Sequence, residues 1–175
     1  MRIFGHKYSY IGYMTSQEYI YIAKQQQRSL YRFAVRYTGD SDKAWDAVQD
    51  CLVTLWTHCE EVATTQAKGY LIRVMYRQLV DKHRRELRME TPMPEHLDSP
   101  AYMQHERWEL HDQLQHALGQ LTEQHRAILL MKDLEGYQYK EIAQMTGLDE
   151  MQVAGILYRA RVQLKKLITS YNEQL

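Results

Sequence analysis

All three prolines of this chain, Pro92, Pro94 and Pro100, fall in one short window, and glycine accounts for only 8 of the 175 residues. Proline lacks the backbone donor a helix needs and clashes with the preceding turn, so helices stop there; elsewhere the chain can run long ones. The surrounding window is polar and shows no apolar period. The sequence therefore predicts an all-α fold of two small helical domains on a flexible linker. The expected boundaries are a tail over 1–15, a first domain over 16–88, the linker over 89–104 and a second domain over 105–175.

Apolar periodicity places the helices. A first helix from Ser16 to Tyr37 would bury Ile20, Leu30, Phe33, Ala34 and Tyr37, with Gly39-Asp40-Ser41 ending it and capping the next. A second, from Ser41 to His58, would bury Trp45, Val48, Leu52, Leu55 and Cys59, and a third, from Lys68 to about Leu87, would bury Leu71, Val74, Met75 and Leu79. Beyond the linker, Trp108, Leu110, Leu114, Leu118 and Leu121 mark a helix. Thr122 would cap another that passes through Ile128, Leu129 and Leu130 to Leu134.

The stretch from Leu134 to Val153 then reads as two short helices around a tight turn. Ala143 is small where they must cross, and Gly147 suits a backbone with φ > 0. Leu148 and Val153 return apolar groups to the core, and Asp149 with Gln152 can form a capping pair. This is the helix-turn-helix pattern, whose second helix offers its N-terminal residues to the DNA major groove. An ordinary αα-hairpin is the alternative. Arg159, Arg161, Lys165 and Lys166 follow, which favours a DNA reader.

The chain carries 22 Lys and Arg against 22 Asp and Glu, so any nucleic-acid affinity must come from segregated charge. From Arg73 to Arg88 six cations face two carboxylates, and from Ser41 to Glu61 five carboxylates face one lysine. Two solvated faces would explain this; so would a basic helix for phosphates beside an acidic helix for a basic protein surface. Tyr70 and Tyr76 on the basic helix could serve as platforms for unstacked bases. Cys51 and Cys59 cannot close a disulfide within one helix and suit a reducing compartment. Nothing approaches the length of a membrane span or the apolar core of a signal peptide, and Met14 is a candidate alternative start. The eight histidines are scattered. Only Asp112 with His116, and His105 with Glu109, have same-face spacing, without a third ligand, which leaves a helical metal hydrolase poorly supported.

Together these segments resemble a bacterial RNA polymerase sigma factor of the sigma-70 family, in the extracytoplasmic-function (ECF) group. Leu30-Tyr31-Arg32-Phe33-Ala34 is similar to the opening helix of region 2. Asp46-Ala47-Val48-Gln49-Asp50-Cys51-Leu52-Val53-Thr54-Leu55-Trp56 resembles its D-x-x-Q-[DE]-x-[FL]-x-x-x-W helix. Tyr70 to Met75 and Val80 to Arg85 resemble the helix that binds the −10 element. Leu121 to Arg126 stands where the family has L-P-x-x-x-R, and Gly136 to Arg161 is similar to the terminal helix-turn-helix. The chain departs from the pattern at Tyr70, Arg77 and Gln78. It departs again at Met151-Gln152-Val153-Ala154-Gly155-Ile156, where G-T-V-K-S-R is common.

The resemblance implies an initiation factor and no enzyme, cofactor, metal or membrane insertion. Its partners would be core RNA polymerase (the β′ coiled coil and the β flap), promoter DNA and, in some members, an anti-sigma factor. Its place would be the cytoplasm, on the nucleoid when in holoenzyme. It assigns Asp46, Gln49, Asp50, Leu52 and Trp56 to core polymerase, although Trp56 could equally be core packing. It puts Tyr70, Arg73 and Arg77 at the opened −10 strand, with Lys82, Arg84 and Arg85 on phosphates; Tyr70 too has a packing alternative. Tyr139, Lys140, Gln152, Arg159 and Arg161 fall to the −35 element, Gln152 as an adenine reader and Lys140 with Arg159 or Arg161 on phosphates. A stand-alone helix-turn-helix regulator is the competing reading; it leaves the acidic helix without a role.

Overall fold

The computed structural model describes residues 14–89 and 105–172, so the tail and most of the expected linker lie outside the described residues. The described residues form helices and no strand. The α-helices are α1 (Ser16–Thr38), α2 (Ser41–Thr57), α3 (Ala67–Met89), α4 (His105–Gly119), α5 (Glu123–Leu129), α6 (Tyr139–Thr146) and α7 (Glu150–Asn172).

Local chemistry explains the boundaries. Thr15 and Glu18 cap α1 reciprocally: the Thr15 hydroxyl accepts from the Glu18 N–H at 3.2 Å, and Glu18 Oε2 accepts from the Thr15 N–H at 2.8 Å. Gly39, at φ +72°, ends the helix. The Asp40 carboxylate then accepts from the N–H groups of Asp42 and Lys43, so α2 starts almost at once. That tight corner makes α1 and α2 neighbours.

Their interface differs from the expected stripes in two places. Ile22 lies three turns before Phe33 and is buried with it, whereas Ile20 is rotated to the flank and is exposed. On α2 the buried face is Ala44, Ala47, Val48, Cys51 and Leu55. These small residues let α1 approach, and Trp45 is displaced to the edge, where its ring stacks on Tyr31 with centroids 4.5 Å apart. Leu52, Cys59 and Val74 are only partly buried, and Ile72 joins Leu71, Met75 and Leu79 in the core. The side chains of Trp108 and Leu110 lie outside the described residues.

The helix expected to run on to Leu134 changes character instead. Five consecutive residues, Ala127 to Met131, are buried, which an exposed one-sided helix cannot do. After α5 the chain widens into a π-helical turn over Leu130–Leu134, closed by the Glu135 N–H donating to Leu130 O at 3.1 Å. Gly136 (φ +76°) leaves it. Asp133 thereby meets Arg161 of α7, and Glu135 meets α1.

The two halves pack against each other, and their buried side chains form one continuous apolar cluster. Polar contacts cross the seam. Arg126 Nη1 donates to Tyr37 O at 2.6 Å and Gln115 Nε2 to Val35 O at 3.2 Å. The Ser29 hydroxyl donates to Glu135, whose side chain is only 3% exposed, and Arg32 lies 3.8 Å from the same carboxylate. The Lys68 ammonium sits over the Tyr137 ring.

Burial also sets a pH limit on this core. It pushes the Cys51 thiol up to about 12 and raises the Tyr137 phenol. Both stay protonated in the fold after the unfolded chain has begun to ionise. Their contribution is therefore complete below about pH 9 and is lost as pH rises toward 12. Denaturant midpoints should fall between pH 9 and 11, and less steeply for Cys51→Ala; parallel curves would remove Cys51 from this account.

Candidate nucleic-acid interface

The outer face of α2 carries Asp46, Gln49, Asp50, Val53 and Trp56, all exposed and at helical spacing. Trp56 is 48% exposed and meets Tyr19 edge-on at 4.9 Å, while the Tyr19 hydroxyl donates to Leu52 O at 3.1 Å. Trp56 is thus a surface residue with a fixed ring, not core. Leu52 is half-buried beneath this face.

On α3, Tyr70, Arg73 and Arg77 fall on one side of the helix. The Arg73 guanidinium lies over the Tyr70 ring at 5.5 Å, and His58 approaches the same ring at 6.5 Å. Burial raises the Tyr70 phenol, so it stays neutral near pH 7. The pair offers a half-buried aromatic beside a cation. Lys82, Arg84 and Arg85 fall on the last turns of α3, and their side chains lie outside the described residues.

The second half presents the helix-turn-helix. Gln138 and Glu141 box the start of α6, and Gly147 at φ +77° turns the chain toward α7. Ile142, Val153, Leu157 and Ala160 close the pair from within. Asp149 Oδ1 accepts from the Gln152 N–H at 2.7 Å, and Gln152 Oε1 accepts from the Asp149 N–H at 2.9 Å. The expected cap therefore forms, and it turns the amide oxygen that a two-bond contact with adenine would use back toward the Asp149 backbone. Arg161 is similarly engaged: its Nη2 and Nε donate to Asp133 at 2.6 and 3.2 Å. Lys140 and Arg159 are exposed. Tyr139 is partly exposed, with the Lys132 ammonium 5.0 Å above its ring.

Sequence reasoning missed the face between these groups. Met151 and Tyr158 are 85% and 72% exposed, on one side of α7 with Ala154 between them. Their separation by seven residues was the available signal. Ile156, at a position where the family pattern has a cation, points inward and is buried. Among the described residues no three His, Cys, Asp or Glu side chains converge as a metal site, and no helix is long and apolar enough to cross a membrane.

Comparison with known proteins bears on both halves. Residues 22–89 match the model of sigma-70 region 2, and residues 111–164 match that of sigma-70 region 4. The ECF RNA polymerase sigma factor SigE of Mycolicibacterium smegmatis is 26% identical, over 87% of this chain and 62% of its own length. The ECF sigma factor SigL of Mycobacterium tuberculosis is 30% identical, over 75% of this chain and 77% of its own. Among solved structures, CnrH in complex with the cytosolic domain of CnrY superposes with a TM-score of 0.69 at 20% identity, covering 89% of this chain and 90% of that one. The chain belongs to the sigma-70 family of RNA polymerase sigma factors, in its ECF group.

Proposed function

We propose that this protein binds core RNA polymerase, carries it to promoters and assists strand opening, acting in the cytoplasm and on the nucleoid as a non-enzymatic initiation factor. The face of α2 supports this best. An acidic strip around an exposed, oriented tryptophan suits a basic protein helix such as the β′ coiled coil, and a stand-alone operator binder would have no use for it. The β flap is the proposed contact for the second half, and an anti-sigma factor is a further candidate partner. Tyr70, Arg73 and Arg77 would meet the opened −10 strand, with Lys82, Arg84 and Arg85 on phosphates. Tyr139, Lys140, Arg159 and Arg161 would position α7 at the −35 element.

The names of the two elements carry a geometric demand. They lie roughly 25 base pairs apart, or about 85 Å at 3.4 Å per step. A compact chain of this length has a radius of gyration near 16 Å by the usual scaling. Two halves sharing one core cannot reach both elements at once, so the seam at Arg126 and Glu135 opens in the complex. Run-off transcription with purified core polymerase on genomic fragments tests the function. Specific transcripts only when both proteins are present are expected; a DNA footprint made by this protein alone would favour the operator-binding alternative.

Removing the −10 platform should separate binding from opening. Base stacking on an aromatic ring contributes about 1–3 kcal/mol. Tyr70→Ala holoenzyme should therefore bind duplex promoter nearly normally, yet give at least fivefold weaker permanganate reactivity of unpaired thymines. Equal reactivity would leave Tyr70 as a packing residue.

A further inference from the structure

The side of α7 that the proposed function seats in a major groove exposes two large apolar side chains. Met151 is 85% exposed and Tyr158 is 72% exposed, and Ala154 and Gly155 lie between them without a polar side chain. Gln152 has its Oε1 engaged by the Asp149 N–H in the cap. Arg161 is held by Asp133, and Arg159 folds back so that its Nη1 would lie 3.6 Å from a Cβ on Gly155. The groups able to make charge-assisted base contacts are thus drawn aside. The largest apolar groups exposed on this side of α7 are a thioether and a phenol ring.

Cations border this face at its Tyr158 end. Tyr139, Ala154, Tyr158, Arg161, Val162 and Lys165 line one shallow groove, and Lys132 sits on the Tyr139 ring at its edge. An apolar strip with cations at one end fits a surface with apolar groups on its floor and anions along its walls. Duplex DNA has that form where its major groove carries thymine, whose 5-methyl is the one apolar feature any base pair shows there. Cytosine at the same place carries a hydrogen where thymine carries its methyl, so the apolar contact with Met151 and Tyr158 would be lost there.

We infer that Met151 and Tyr158 are specificity-determining residues, and that they select thymine in the −35 element by packing against its 5-methyl group. This rests on the proposed seating of α7 at that element and adds which base it prefers and by what chemistry. The cap at Asp149 and Gln152 serves as a support that fixes the first turn, and with it the direction of Met151. Arg159 and Lys140 supply register through phosphates without reading sequence.

Deoxyuridine differs from thymidine by that methyl alone, which makes a direct test. A promoter library randomised around −35 is selected with holoenzyme assembled from core polymerase and the full chain. Each selected thymine is then replaced by deoxyuridine, one at a time. Burial of one methyl corresponds to about a fourfold change in binding. Parent holoenzyme should lose three- to fivefold at one or two thymines. Met151→Ala should lose the sensitivity at one of them and Tyr158→Ala at another, while Tyr158→Phe should keep it, because the ring and not the hydroxyl makes the contact. Both side chains are exposed, so unchanged melting temperatures should accompany these variants. Deoxyuridine tolerated everywhere by the parent, or methyl sensitivity that survives both alanine variants, would overturn the inference. Failure of the holoenzyme to initiate on any fragment would instead strike the function itself.

Discussion

Replacing Asp50 by Lys and Trp56 by Ala together is expected to abolish stable association with core polymerase while the protein stays folded. Both side chains are exposed, and neither belongs to the continuous core. Interface tryptophans commonly cost 2 kcal/mol or more when truncated, roughly thirtyfold in affinity, and the reversed charge adds repulsion against a basic partner. The two parts should separate with salt. The Asp50→Lys loss should shrink between about 50 mM and 500 mM salt, where exposed charges are screened, and the Trp56→Ala loss should persist. Trp56 also gives up its edge contact with Tyr19, so a small drop in melting temperature is expected for Trp56→Ala and less for Trp56→Phe. Co-purification of the double variant with core polymerase at parental yield would refute the assignment.

The acidic strip was legible in the sequence because it rests on local rules. Residues three and four apart on a helix share a face, and Asp46, Gln49, Asp50 and Trp56 obey that spacing whatever packs behind them. Capping was legible for the same reason: Asp40, Thr122, Gly147 and the Asp149–Gln152 pair all act within four residues. Packing choices were not. Whether Trp45 or Ala44 faces α1 depends on how closely two helices approach, and the small side chains of α2 settle it in favour of Ala44. The π-helical turn was hidden too, since a run of buried residues reads equally well as a continuous helix. Gln152 shows the limit of reading chemistry from residue type. An amide suits adenine, yet its oxygen is drawn back to accept from the backbone next to it.

The seam between the halves was the least visible feature, because its partners are far apart in sequence, and it carries the second large effect. Arg126 stands in a motif that gave it no role, yet its guanidinium joins three chain segments. Nη1 donates to Tyr37 O across the seam, and Nη2 donates to Gly119 O at 2.7 Å and Leu121 O at 3.2 Å within its own half. The same group lies over the Tyr37 ring at 5.2 Å. Burial lowers its pKa, the sign of a cation drawn out of water, though an arginine remains charged at neutral pH. Methionine at 126 would fill much of the volume and leave three carbonyls without their donor. Hydrogen bonds from a charged group contribute about 1.5–3 kcal/mol net, so Arg126→Met should lower unfolding free energy by about 3 kcal/mol. Lysine can reach only part of this set with its single ammonium, so Arg126→Lys should fall between parent and Met. Hydrogen exchange separates the seam from simple instability. At matched stability in mild denaturant, amides near Val35 to Tyr37 should exchange faster in Arg126→Met than in a core variant such as Val48→Ala. Equal exchange there would confine the effect of Arg126 to its own half and leave the seam to Glu135 with Ser29 and Arg32, Gln115 on Val35, and Lys68 on Tyr137.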